Sequence, residues 1–191
     1  NYCLNGPTPT YNGRERLSQE PTYGGYSTAI VADEHFVVRI PDALGLDVAA
    51  PLLCAGITTY SPLRHWGVGP GSRVGIMGLG GLGHLGLRFA AALGADVTLI
   101  SHSQSKQDDA RRLGASDFLL SSDTAAMRAA RGSFDFVLNT VSAQLDMRRY
   151  LALLAVNGTL CNVGLPPEPL SVPAFSLVNS RVSIAGSNVG G

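Results

Sequence analysis

The sequence predicts an α/β protein built on a doubly wound parallel sheet of about six strands, preceded by a short β-rich segment of different character. Three observations predict it. After Arg73, six apolar β-rich runs alternate with mostly helical patterns, which argues for a parallel sheet covered on both faces. A G-x-G-x-x-G stretch falls between the first such run and the first helical pattern. The part before Arg73 carries too few β-rich runs to make a domain of its own.

From Asn1 to about Glu20 the chain is polar and turn-rich, which predicts a surface loop. Tyr26–Val31 and Phe36–Ile40 are β-rich and read as two short strands closed by Pro41. Asp47 is placed to cap a helix whose first turn tolerates Pro51, and the apolar run continues through Cys54 towards Trp66 until "GVGPGS" breaks it. This segment reads as a connector. The domain expectation is therefore a remnant over 1–46, a helical connector over 47–70 and a C-terminally truncated nucleotide domain over 71–191.

The alternating region then runs "RVGIMGLG", "HLGLRFAAALGA", "DVTLIS", "SKQDDARRLGA", "DFLLSS", "TAAMRAAR", "FDFVLNTV", "LDMRRYLALLAV", "GTLCNVGL" and "RVSIAGS". Crossovers between its parallel strands should be right-handed. No solenoid-length repeat and no low-complexity tract is present.

With 191 residues, 45% hydrophobic and 15% charged, the chain has enough apolar content for a sizeable core. A formal charge of +0 without runs of Lys or Arg argues against nucleic acid and acidic membranes and leaves a small molecule as the expected partner. Gly, Arg or Pro interrupts every candidate membrane span and no secretory signal opens the chain, so the expected compartment is the cytoplasm. Three well-separated cysteines, Cys3, Cys54 and Cys161, fit a reducing environment rather than a disulfide framework. The chain opens on Asn1 rather than Met, an indication that it is cut.

The glycine stretch covers Gly78, Leu79, Gly80, Gly81, Leu82 and Gly83. Its first glycine permits a tight turn, its second lets a pyrophosphate approach bare backbone, and its third lets helix and strand pack closely, the fingerprint of a Rossmann dinucleotide site. NAD-dependent enzymes usually place an acidic residue at the end of the second strand for the adenosine 2′-hydroxyl. Here the place reads "ISHSQSK": Ser101, His102 and Ser103 bring no carboxylate, and Lys106 brings a positive charge within reach of a 2′-phosphate. NADP is therefore expected over NAD. Asp108 and Asp109 support the blander alternative, a solvated loop opening a helix. His35, His65 and His84 have no second ligand at metal spacing and read as surface or packing residues.

Taken with "NYC", "TYNG", "GGYS", "FVVRIP", "APLLCAGITTYSPLRHWGVGPG", "GLGGLGH", "SFDFVLNTVSA", "GTLCNVG" and "IAGSNVGG", these residues resemble the zinc-dependent medium-chain alcohol dehydrogenases over essentially the whole chain. Within that family they resemble the NADP-dependent, cinnamyl-alcohol-dehydrogenase-like aldehyde reductases. The resemblance implies that the N-terminal remnant belongs to a β-rich GroES-like catalytic domain. It implies that Cys54 is a ligand of the catalytic zinc and that Cys3 is one of four cysteines around a structural zinc. The other ligands of both sites have no counterpart here, so the chain reads as a fragment whose isolated form is inactive. By the same resemblance Thr58, Thr140, Gly164, Ser187, Asn188 and Val189 line the nicotinamide, though Thr58 has the plainer alternative of a helix hydroxyl bonded to a backbone carbonyl. Cys161 has no site role and reads as core.

The implied reaction is zinc-assisted hydride transfer between NADP(H) and a primary alcohol or aldehyde, by a homodimer. Two alternatives stand beside it: a zinc-free quinone or enoyl reductase of the same superfamily, and a non-catalytic nucleotide-binding remnant.

Overall fold

The computed structural model describes Gly6 and residues 8–189. It divides into two compact units, one running to Ala50 and one beginning at Pro51.

The first unit contains an antiparallel hairpin, β1 (Tyr11–Arg14) with β2 (Pro21–Tyr23). This corrects the loop expected over Asn1–Glu20. The hairpin rests on local bonds rather than on apolar alternation: the Gly13 amide donates to Thr22 Oγ1 at 2.9 Å, and that hydroxyl donates to Pro9 O at 2.7 Å. Both β-rich runs are also corrected. Tyr26–Val31 forms no strand, and Phe36 closes a single 3-10 turn, Glu34–Phe36, capped by the Asp33 carboxylate, which accepts from the His35 amide at 2.9 Å. Tyr26, Val31, Phe36 and Val38 stand in solvent. β propensity is a fit to a half-buried pleated surface, and among the described residues no neighbouring strand offers one.

Helix α1 spans Leu46–Pro51, so Asp47 lies in its first turn rather than before it and Pro51 closes it. The missing proline N–H is followed by a wide π turn, Leu52–Gly56, and then α2 (Ile57–His65). α2 packs into the second unit: Leu63 is fully buried, and Trp66 stacks on Phe136 with ring centroids 5.7 Å apart.

The second unit is the doubly wound sheet. Its elements are β3 (Arg73–Met77), α3 (Gly81–Ala92), β4 (Asp96–Ser101), α4 (Gln107–Leu113), β5 (Asp117–Leu120), α5 (Thr124–Ala129), β6 (Phe134–Asn139), α6 (Met147–Leu151), β7 (Leu154–Asn162), α7 (Ala174–Val178) and β8 (Ser183–Gly186). All six strands are parallel, in the order β5-β4-β3-β6-β7-β8. Counted along the sheet this is the 3-2-1-4-5-6 order of a dinucleotide-binding fold, with the direction of winding reversing between β3 and β6. The helix expected over "LDMRRYLALLAV" ends at Leu151, because its last residues open β7 four positions before "GTLCNVGL", and α7 was not foreseen.

Alternation along the strands divides the core between the two faces. Val74, Ile76, Val97, Leu99, Phe136, Leu138 and Cys161 join Leu87 of α3 on one face. Met77, Ile100, Val137 and Leu160 join Met127, Met147 and Leu151 on the other. Burying such a side chain is worth roughly 1.5–3 kcal/mol, which anchors the strand ends where the loops of the site begin. Cys161 is wholly buried, and desolvation pushes its thiol up to about 12. Among the described residues no helix is long and apolar enough to cross a membrane.

Candidate functional site

The loop after β3 reverses at Gly78, whose φ of +84° favours glycine and whose amide donates to Ile100 O at 2.9 Å. α3 then starts beneath it so closely that a Cβ on Gly83 would strike Gly78 O. A Cβ on Gly80 or Gly81 would meet nothing within 4 Å, so the backbone there faces open space. No side chain caps α3, and its first-turn amides stay available to an anion. This bare, uncapped cradle fits a pyrophosphate.

Thr140 leaves β6 beside the loop: its hydroxyl donates to Met77 O at 2.7 Å, and its Oγ1 would lie 3.1 Å from a Cβ on Gly83. The sequence offered Thr140 only as a nicotinamide neighbour, and the structure adds that it ties the end of β3 to the end of β6. Gly164 follows β7 and packs so tightly on the Val141 backbone that a side chain there would collide with Val141 O. The Asn139 side chain, almost wholly buried, links the same ends: its Nδ2 donates to Asn162 Oδ1 at 2.6 Å, while its Oδ1 accepts from the Val141 amide at 3.1 Å. Sequence reasoning missed Asn139, whose partner Asn162 lies 23 residues further along the chain and leaves no local signal. Ser187 follows β8, its amide donating to Asn162 O at 3.3 Å, with Asn188 and Val189 just beyond. These positions share the carboxyl edge of the sheet, where open α/β sheets hold ligands.

At the end of β4, Ser101 is buried and its Oγ accepts from the Ser103 amide at 3.2 Å, which turns the chain outward. Ser103 Oγ lies 2.9 Å from Ser105 Oγ, and His102 is exposed. Lys106 closes the short 3-10 turn Gln104–Lys106 and is half-buried. Asp109 pairs with Arg112 along α4, so Lys106 has no carboxylate partner among the described residues.

Cys54 lies on the π turn with its residue exposed. The Ile57 amide reaches both Cys54 O and Leu52 O, and the Thr58 hydroxyl donates to Cys54 O at 2.7 Å. Thr58 thus makes the carbonyl bond named as its plainer alternative. Thr59, fully buried, donates its hydroxyl to Ala55 O at 3.0 Å and packs on α3, 3.6 Å from where a Cβ on Gly86 would stand. Among the described residues no three His, Cys, Asp or Glu side chains converge as a metal set. The described residues therefore do not fit a complete zinc site. Cys3 lies outside them.

A family model described as zinc-binding dehydrogenase matches residues 81–191. The NADP-dependent alcohol dehydrogenase C of Mycobacterium tuberculosis is 57% identical over 190 residues, covering 100% of this chain and 55% of that protein. A probable cinnamyl alcohol dehydrogenase of Oryza sativa is 52% identical over 193 residues, covering 100% of this chain and 52% of its own length. Among solved structures, a cinnamyl alcohol dehydrogenase of Sorghum bicolor superposes with a TM-score of 0.90 at 45% identity, over 94% of this chain and 52% of that one. The Helicobacter pylori cinnamyl alcohol dehydrogenase complexed with NADP(H) gives 0.86 at 36% identity, over 95% and 52%. The chain spans about half the length of the relatives it matches.

Proposed function

Because the chain belongs to the zinc-binding dehydrogenase family, we propose that it carries the cofactor-binding domain of an NADP(H)-dependent alcohol dehydrogenase or aldehyde reductase. Its substrate class is a primary alcohol or aldehyde, of the cinnamyl-alcohol type or broader. The observation that carries this reading is the pairing of the open glycine cradle with Lys106, a cation without a carboxylate partner among the described residues, at the end of the second sheet strand.

In this reading the first-turn amides of α3 hold the pyrophosphate, Gly80 and Gly81 keep side chains out of its way, and Gly78 and Gly83 permit the tight turn and the close approach of the helix. Ser101, His102, Ser103 and Lys106 receive the 2′-phosphate, with Lys106 supplying the charge. Thr58, Thr140, Gly164 and Ser187–Val189 border the nicotinamide. Thr58 and Thr140 orient through their oxygen lone pairs, since each has committed its hydroxyl hydrogen to a backbone carbonyl. NADP(H), when bound, gives or takes the hydride. Cys54 is proposed as one thiolate ligand of a zinc ion; a single ligand does not make a site, and no step is derived through the metal. The segment before residue 47 is read as part of a GroES-like domain. A homodimer is inferred, with β8 at one of the two edges of the sheet.

The test is a chimera joining this chain to the segments of the mycobacterial enzyme outside the aligned region. The chain alone should bind NADPH without turnover. The chimera should bind zinc and oxidise NADPH with an aromatic aldehyde, and Cys54→Ala should remove turnover and lower the zinc content while sparing NADPH binding. A Cys54→Ala chimera retaining full zinc and full rate would sink the assignment.

A further inference from the structure

A cavity of about 690 Å³ lies away from the glycine loop, between α5, α6 and α7. Its ionisable lining is four guanidiniums, Arg128, Arg131, Arg148 and Arg149, against the single carboxylate of Asp146. In a chain of formal charge +0 this is a concentrated positive patch. The fold creates it, because Arg128 at the end of α5 and Arg131 in the turn after it are brought beside Arg148 and Arg149 of α6.

The four arginines differ in readiness. Arg149 is held in place, its Nη2 donating to Ser121 O at 2.6 Å. Arg148 chelates Asp146 from Nε at 3.1 Å and Nη2 at 3.2 Å, an exposed pair that water and salt largely offset, so exchange of that carboxylate for a ligand anion costs little. The guanidiniums of Arg128 and Arg131 make no hydrogen bond or ion pair among the described residues. One wall of the groove is thus anchored and the other is free to close. A ligand engaging both walls must carry several anionic groups in succession, and planar guanidiniums bind phosphate oxygens in bidentate fashion.

We propose that this groove binds a polyphosphate chain, either that of a nucleotide or an inorganic one. Phe175, 73% exposed at the rim, offers a face on which a base would stack. The site is separate from the dinucleotide cradle and independent of the redox reading above.

Isothermal titration of ATP, tripolyphosphate and citrate, without magnesium, into the chain preloaded with one equivalent of NADPH tests this at about 0.15 M salt. One ATP or tripolyphosphate should bind per chain. The Arg128→Gln/Arg131→Gln variant should weaken it at least roughly tenfold, with NADPH affinity and melting temperature unchanged. Both substituted residues are exposed, so the variant keeps its fold. ATP binding tighter than tripolyphosphate, with the difference lost in Phe175→Ala, identifies the nucleotide; equal affinity identifies the inorganic chain. The proposal is overturned by no binding, by binding that the double variant leaves untouched, or by citrate binding as tightly as tripolyphosphate.

Discussion

Replacing Lys106 by alanine should separate the two nicotinamide cofactors. The ammonium sits on the turn just after β4, half-buried, and has no carboxylate among the described residues, so its removal breaks no internal bond. Two unit charges about 4 Å apart attract by about 4 kcal/mol at an effective dielectric of about 20, but desolvation takes back much of this. A hydrogen bond to a charged group nets about 1.5–3 kcal/mol, and partial exposure reduces that to about 1–2 kcal/mol here. NADPH should therefore bind about five- to thirtyfold more weakly to Lys106→Ala, while NADH changes less than about twofold. Lys106→Arg should retain most of the affinity. The assay is titration of nicotinamide fluorescence with both cofactors at low and high salt, since a phosphate contact in a half-open site is screened and a fold defect is not. Equal losses for NADPH and NADH would refute the reasoning and make Lys106 a structural residue of the turn.

Gly83→Ala should both destabilise the chain, by about 1–3 kcal/mol for a backbone collision that cannot be relieved by a rotamer change, and abolish NADPH binding; melting curves and the same titration read both effects. Asp135→Asn probes the pair with Arg73, 2.6 Å between Nη2 and Oδ1, in which the Arg73 guanidinium holds the Asp135 carboxyl below its ordinary value. A depressed folded-state pKa means stability present above the unfolded value near 4 and lost as pH falls through the lower folded value. With both side chains nearly half exposed, wild type should exceed the variant by less than about 1 kcal/mol at neutral pH, and the gap should vanish in acid; a gap constant with pH in denaturant titrations would count against the pair.

The six sheet strands were legible because each is a compact β-rich run closed by a glycine, serine or asparagine, and because parallel strands buried on both faces need apolar residues at nearly every position. Val74 to Met77 illustrates this, every residue buried. The first unit was illegible for the opposite reason. Its hairpin is held by Thr22 and Gly13 rather than by a hydrophobic face, while its β-prone runs stand in solvent. The glycine loop could be read because each glycine answers a steric demand, as Gly83 does against Gly78 O. Asn139 and the arginine groove could not, since their partners are distant in the chain: Asn162 lies 23 residues from Asn139.

Cys54 shows how far position alone carries chemistry. A π turn leaves carbonyls without their usual helical amides, and here two threonine hydroxyls take that role, Thr58 on Cys54 O and Thr59 on Ala55 O and Gly56 O. Thr59 is fully buried and lies against α3 at Gly86, where an added Cβ would already press on Leu138 at 2.9 Å. The thiol-bearing turn is therefore packed directly onto the helix that follows the glycine loop, and α2 and α3 hold the two at a fixed spacing. It does not complete a metal site: one thiolate is a single corner of a tetrahedron, and any zinc held at Cys54 must draw its other ligands from outside the described residues.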